Sequence, residues 1–206
     1  MVKVMEDRHS IWIRIFHWIN MIAITMLTLT GFYIHAPQAF RLFSSMDVAR
    51  TIHFAMAYVL IFGVVGRVYY ACFDSEWKNI VYSPVKDTLK LPSMLKYYAF
   101  LADDHPFYGK YNPGQKGMYT GVLVMAILQV ITGFIMYKPA MFLGLSGWFF
   151  GFMTVRIIHY AITWILVLCV LFHVYLDMAE GLPILKSMFT GKINADFHHG
   201  YHEDEA

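Results

Sequence analysis

Four long apolar runs divide the chain, and each is long enough to cross a lipid bilayer, which takes about 20 mainly apolar residues. The runs cover residues 11–34, 51–73, 117–137 and 155–178. A further apolar stretch, residues 182–190, is too short to cross, and we expect it to lie along the membrane surface. The pattern predicts an all-α membrane protein: one domain, residues 1–206, folded as an up-and-down bundle of four transmembrane helices, with residues 183–206 as a tail.

The connection between the second and third runs, residues 74–116, is too long to be a plain connector. Its middle mixes Lys with Leu, Tyr and Phe, a pattern typical of a short helix that lies on the membrane surface. Of the 16 Lys and Arg residues, twelve lie in this connection, in the two termini or at the span edges on the same side. This excess of positive charge predicts that both termini are cytoplasmic.

The composition agrees with a membrane protein. Hydrophobic residues make up 58% of the chain and charged residues 15%, whereas soluble domains carry about 25% charged residues. The net charge of +2 gives no reason to expect a nucleic-acid partner. Both cysteines, Cys72 and Cys169, fall inside apolar runs, so no disulfide framework is expected.

Four histidines inside the runs lie at matched depths. His159 and His173 share one face of the fourth helix and stand about 21 Å apart, because a helix turns about 100° and rises about 1.5 Å per residue. His17 lies near the cytoplasmic end of the first run, and His53 near the opposite end of the second. Since successive spans alternate in direction, His17 shares a level with His173, and His53 with His159.

Paired imidazoles on facing helices are the axial ligands of a six-coordinate b-type haem, an iron centre suited to electron transfer. The pairs His17–His173 and His53–His159 therefore predict two haem b groups. Polar contacts between helices, a zinc site and a proton relay are the alternative interpretations. Zinc prefers four tetrahedral ligands, and a relay usually adds buried carboxylates, which the interiors of the runs lack.

Haem also needs space and charged partners. Small residues let a macrocycle approach the helix backbones, although they serve ordinary close packing of helices equally well. The candidates for this role are Gly31, Gly63, Gly66 and Gly133. Haem propionates bind cationic side chains near the membrane surface, and such side chains can instead reach lipid headgroups. The candidates are Arg14 and Arg67 on the cytoplasmic side, and Arg50 and Arg156 on the other.

Several segments resemble one family of membrane cytochromes. They are IRIFHWIN (13–20), ARTIHFAMAYVLIFGVVGRVYYACF (49–73), KYNPGQK (110–116) and the fourth run with its two histidines. These segments are similar to the cytochrome b subunit of membrane-bound nickel–iron hydrogenases. The wider group includes the gamma subunit of formate dehydrogenase and the cytochrome b of thiosulfate reductase, and the tail FHHGYHEDE (197–205) resembles the formate dehydrogenase branch. The similarity covers nearly the whole chain.

The resemblance implies a di-haem bundle with the same histidine pairing, in a bacterial or archaeal cytoplasmic membrane. It also implies an iron–sulfur small subunit and a catalytic large subunit as partners, with menaquinone or ubiquinone as electron acceptor. This chain would carry electrons and no catalytic residue, within a complex that can form a higher oligomer. Two other classes remain as alternatives, namely a haem-free membrane anchor and a self-contained quinone oxidoreductase.

The candidate quinone site is the start of the third run, at the level of His17 and His173, which is also where the family places its quinone. The amides of Asn112 and Gln115 can hydrogen-bond quinone carbonyls, with Tyr111 or Tyr119 nearby. The same two amides equally fit a helix cap. Asp177 and Glu180, beyond His173, are candidate proton carriers and equally fit ordinary charges at a helix end.

Overall fold

The computed structural model describes residues 5–75, 77–99, 101–102, 111–179 and 182–194, and these residues form a mostly helical bundle. Along the chain the elements are β1 (Met5–Asp7), α1 (Ile11–His35), α2 (Met46–Phe73), α3 (Trp77–Ile80), a 3₁₀ turn (Thr88–Lys90), α4 (Leu91–Tyr98), α5 (Pro113–Tyr137), α6 (Leu143–Trp148), α7 (Phe152–Ala179), α8 (Leu182–Thr190) and β2 (Lys192–Asn194). The tail histidines His198, His199 and His202, and Glu180, lie outside the described residues.

The four predicted spans are confirmed as α1, α2, α5 and α7, each long and apolar enough to cross a membrane. Three of them begin a few residues earlier than predicted, and in α2 and α5 this is because a polar residue before the apolar run caps the helix. The Ser45 hydroxyl accepts a hydrogen bond from the backbone N–H of Val48 at 3.2 Å, which starts α2 at Met46. We call the end of the bundle at which α1 begins the terminal end, and the opposite end the loop end.

The bundle consists of two helix pairs, α1 against α2 and α5 against α7. Many large side chains on the outside are apolar and exposed, including Phe62 (73%) and Leu168 (63%). A soluble protein would bury side chains of this kind, whereas lipid tails solvate them. The apolar side chains on the outside of the four helices are therefore what a surrounding lipid bilayer would be expected to solvate.

Close contact between α1 and α2 depends on glycine at two positions. A Cβ atom at Gly63 would lie 2.1 Å from the Asn20 side-chain oxygen, and one at Gly66 would lie 2.5 Å from a ring carbon of Phe16. Of the two interpretations of these glycines, the structure supports close helix packing, because the space beside each is filled by the neighbouring helix.

Terminal segments close the terminal end in a way that the apolar pattern does not predict. β1 pairs antiparallel with β2, with Glu6 opposite Ile193. The turn after α8 uses Gly191 at a φ of +82°, a backbone conformation that favours glycine. Residues 182–190, predicted as a stretch along the membrane surface, form the helix α8, and residues 192–194 pair with the N-terminal segment instead of leaving as a tail.

The connections also contain more structure than predicted. The segment 74–116 is predicted to hold one surface helix; its described residues form two short helices, α3 and α4, and the 3₁₀ turn before α5 begins. Asp87 organises this segment, since its carboxylate accepts from the Ser83 backbone N–H at 2.7 Å and lies 3.4 Å from Lys116 Nζ. The helix α6, between α5 and α7, is too short to be visible as an apolar run.

We expect Gly66→Ala to destabilise the bundle by about 1–3 kcal/mol, the usual range for overpacking a filled contact. The matched control is Gly121→Ala on α5, where a Cβ atom would meet nothing within 4 Å. Thermal unfolding of the detergent-solubilised protein measures both. Equal melting temperatures for the two variants would show that Phe16 and Gly66 are not in tight contact.

Candidate functional site

The loop end of the bundle holds His53 and His159. His53 is on α2 and His159 on α7, helices of 28 residues each, and the histidine occupies the same position in both. The two histidines therefore lie at the same depth of the bundle, as the alternation of the spans predicts.

Each of these histidines contacts a buried threonine on the neighbouring helix. Thr30 Oγ1 on α1 lies 2.9 Å from His53 Nδ1, and Thr132 Oγ1 on α5 lies 2.8 Å from His159 Nδ1. Both threonines are 0% exposed. The apolar pattern does not single them out, although the sequence contains a signal for them: the tripeptide Thr-Gly-Phe occurs at residues 30–32 and again at 132–134.

The terminal end holds His17 on α1 and His173 on α7. The centroids of their rings lie 6.2 Å apart, with the ring planes at 69°. Within the described part of the chain, Nδ1 of His17 is buried and has no hydrogen-bond partner. His173 Nε2 lies 3.5 Å from the Asp177 carboxylate. The second predicted pair is thus brought together, with a different set of neighbours.

The candidate quinone residues adopt the capping arrangement. Asn112 Oδ1 accepts from the Gln115 backbone N–H at 2.8 Å, and Gln115 Oε1 accepts from the Asn112 N–H at 3.0 Å. This reciprocal pair is a capping box that starts α5. Asn112 Nδ2 still points to the Tyr98 hydroxyl at 3.4 Å, and the Tyr111 ring packs edge-on against Tyr119 at 5.4 Å. A quinone role for these residues stays a prediction.

The candidate arginines have different surroundings. Arg14 donates from a guanidinium N–H to the Phe189 carbonyl of α8, so this side chain ties two helices together. Arg67 is partly buried on α2, and both Arg50 and Arg156 are exposed at the loop end. The predicted contacts with propionates stay predictions for all four.

Comparison with known proteins identifies the family. The family model described as prokaryotic cytochrome b561 matches residues 8–191. The chain belongs to the prokaryotic cytochrome b561 family. It is 30% identical to a probable Ni/Fe-hydrogenase B-type cytochrome subunit of Cupriavidus necator, over 87% of this chain and 83% of that protein. It is 31% identical to one of Azotobacter vinelandii (86% and 82%), and 26% identical to one of Rhodobacter capsulatus (88% and 77%). The predicted resemblance is confirmed.

A b-type cytochrome of this family binds haem b, and the terminal-end histidines fit that group. An imidazole nitrogen lies about 2 Å from the metal that it binds, which places the centroids of two opposed axial rings about 6 Å apart. The observed 6.2 Å between His17 and His173 agrees. His17 Nδ1 also lacks a partner among the described residues. For His173, binding through Nε2 requires the ring to turn away from Asp177.

At the loop end, a glycine lies directly beside each imidazole. A Cβ atom at Gly31 would lie 3.5 Å from His53 Cε1, and one at Gly133 would lie 3.5 Å from His159 Cε1. Gly63 and Gly66 serve helix packing, so the four candidate glycines divide into two roles. A zinc site fits less well, because among the described residues no three His, Cys, Asp or Glu side chains form a metal-binding group.

We expect Gly133→Leu to lower the haem content of this cytochrome, because the added side chain would fill the space next to the His159 imidazole. Gly121→Leu, on the open face of the same helix, is the matched control and should retain haem. The ratio of haem absorbance to protein in the purified complex measures both. Full haem content in Gly133→Leu would contradict this view of the glycine.

Proposed function

We propose that this chain is the membrane-anchoring, di-haem cytochrome b subunit of a nickel–iron hydrogenase. In this proposal His53 and His159 hold one haem b and His17 and His173 the other. The chain accepts electrons from an iron–sulfur small subunit and delivers them to menaquinone or ubiquinone, while the catalytic large subunit acts on the substrate. The observation that carries the proposal is the approach of His17 on α1 to His173 on α7, at 6.2 Å between ring centroids.

The protein's own part in this function is to hold two imidazoles at each end of an apolar bundle. Bound haem supplies reversible one-electron chemistry at iron, and six-coordinate ligation favours electron transfer over oxygen binding. The four helices exclude water and place the two pairs at opposite ends of the membrane. Because all four axial positions would come from histidine, none of the 14 methionines is needed as a ligand.

The need for a partner follows from the cysteines. Iron–sulfur clusters are held by several cysteine thiolates, and this chain has two cysteines, on the transmembrane helices α2 and α7. Clusters that deliver electrons must therefore belong to another subunit. The names of the relatives favour a hydrogenase over formate dehydrogenase or thiosulfate reductase as the enzyme concerned.

The proposed orientation places the terminal end in the cytoplasm, as the distribution of Lys and Arg predicts. The partner then docks at the loop end, next to His53 and His159, and Arg156 is available there for a propionate. Quinone is reduced at the terminal end, near Asn112, Gln115 and Tyr111, and takes protons from the cytoplasm. Arg67, partly buried on α2, is the proposed propionate partner at that end.

Alanine substitutions test the pairing. We expect His53→Ala and His159→Ala to lose the same haem, and His17→Ala and His173→Ala to lose the other, because each haem needs both axial ligands. Redox titration of the b-type absorbance in the intact complex separates the two haems. His35→Ala is the matched control, since His35 ends α1 and stacks on Tyr160 at 4.1 Å.

Three results would contradict the proposal. If His17→Ala and His159→Ala removed the same haem, the assignment of ends would be wrong. If the wild-type complex showed no b-type absorbance, the chain would be a haem-free anchor. If the chain reduced quinone from a diffusible donor without an iron–sulfur partner, it would be a self-contained oxidoreductase.

Asn112→Ser separates the quinone role from the capping role, because serine is also a good N-cap but has no amide N–H group. We expect the serine variant to raise the KM for quinone about 3–10-fold, the effect of one lost hydrogen bond, while both haems remain reducible by the partner. Ser45→Ala, which removes the N-cap hydrogen bond of α2 at the loop end, is the control for the loss of a helix cap and should leave quinone kinetics unchanged. Unchanged quinone kinetics in Asn112→Ser would assign Asn112 to capping alone.

A further inference from the structure

The two buried threonines at the loop end form identical hydrogen-bond chains. Thr30 Oγ1 lies 2.6 Å from the Met26 carbonyl oxygen in the preceding turn of α1. Thr132 Oγ1 lies 2.6 Å from the Leu128 carbonyl oxygen in the preceding turn of α5. In both cases the hydroxyl also faces Nδ1 of a histidine on the neighbouring helix.

The direction of each chain follows from proton counting. A hydroxyl has one proton to donate, and a carbonyl oxygen can only accept. Each threonine oxygen lies 2.6 Å from the carbonyl oxygen, so the hydroxyl donates its proton to the backbone. The hydroxyl oxygen therefore accepts from the histidine, so Nδ1 of His53 and Nδ1 of His159 carry the ring proton.

This arrangement has a consequence for metal binding. A neutral imidazole has one protonated and one bare nitrogen, and fixing the proton on Nδ1 leaves the lone pair on Nε2. The bond also limits rotation of the ring. Partners of this kind orient metal-binding histidines and raise the basicity of the bound nitrogen in many metal sites.

We propose that Thr30 and Thr132 are positioning residues for the loop-end haem: each holds one axial histidine in the Nδ1–H form and at a fixed ring orientation. This inference rests on the proposed function, namely on haem binding by His53 and His159. It adds to that function two residues that set how strongly the haem is held and at what potential it is reduced.

Repetition in the two halves of the bundle argues against an accidental contact. α1 and α5 are both 25 residues long, and the threonine occupies the same position in each. The following residue is in both cases a glycine that lies beside the same imidazole, Gly31 and Gly133. Threonine in a membrane helix commonly bonds to the backbone of its own helix, but that tendency alone does not explain why Thr30 and Thr132 each also face a buried histidine.

The terminal end is different. There, among the described residues, His17 Nδ1 has no hydrogen-bond partner, and His173 faces the Asp177 carboxylate. The threonine chains therefore act on one haem only. A change confined to the loop-end haem would distinguish positioning of its ligands from a general loss of stability.

Valine and serine substitutions provide the test in the intact hydrogenase complex. Valine keeps the shape of threonine and removes the hydroxyl, whereas serine keeps the hydroxyl. We expect Thr30→Val and Thr132→Val each to raise the midpoint potential of the loop-end haem, because a less basic imidazole stabilises oxidised iron less. Retention of that haem against apomyoglobin should weaken about 10–100-fold. The serine variants should behave as wild type, and the terminal-end haem should not change.

Thr25→Val is the matched control. Thr25 also bonds to its own helix, at 2.9 Å from the Met21 carbonyl oxygen, but it is exposed on α1. This variant should leave both haems unaltered. If Thr132→Val does not assemble, Thr132→Ala removes the same hydroxyl with a smaller side chain, and we expect it to shift the midpoint potential of the loop-end haem in the same direction.

Two outcomes would overturn the proposal: valine variants with an unshifted loop-end potential, or serine variants that shift as much as the valine variants. Failure of the underlying function looks different. In that case His53→Ala and His159→Ala would retain the loop-end haem, whatever the threonine variants do.

Discussion

The hydrogen-bonding of imidazole in an apolar solvent is the constraint on which this structure depends. A ring nitrogen buried among lipid-facing helices has no water to bond, and an unsatisfied polar atom there is costly. Each imidazole has two nitrogens, so each needs two partners. At the loop end, Thr30 and Thr132 satisfy Nδ1 of His53 and His159, and in the proposed function the second nitrogen of each ring binds haem iron. The proposed haem would thus supply the partner that the surrounding helices do not need to provide.

The two helix pairs of the bundle have matching dimensions but do not carry the same residues at both ends. α1 matches α5 in length and α2 matches α7, and at the loop end the Thr–His contact occurs in both pairs. At the terminal end, His17 on α1 has Tyr119 at the same position of α5, and His173 on α7 has Arg67 at the same position of α2. The loop end is therefore symmetric, with one histidine and one threonine from each helix pair. At the terminal end α1 and α7 carry histidines, whereas α5 and α2 carry a tyrosine and an arginine at the matching positions.

The sequence was sufficient to predict the spans and the matched depths of the four histidines, because both follow from properties that local pattern contains. Apolar runs of a given length identify membrane helices, and alternation of direction then sets the depth of each histidine. Apolar pattern and depth do not single out Thr30 and Thr132, since a threonine in a membrane helix looks ordinary until the helix beside it is known; the repeated Thr-Gly-Phe tripeptide is the signal that sets them apart. The roles of the glycines required the same information: Gly66 meets Phe16, whereas Gly133 meets His159.

Closure of the terminal end depends on contacts between the two ends of the chain, and these contacts help to set the distance between His17 and His173. α1 packs mainly on α2, and α7 on α5, so the two helices that carry this pair belong to different halves. α8 joins them. Trp18 Nε1, next to His17, donates to the Met188 carbonyl at 3.1 Å, and Arg14 donates to the Phe189 carbonyl. Both carbonyls lie in the last turn of α8, where helical acceptors have no partner within the helix. α8 follows α7 directly along the chain and packs against it, so these bonds draw the start of α1 toward the end of α7. The segment that the apolar pattern identifies as a tail is therefore part of the structure that brings the second pair of imidazoles together.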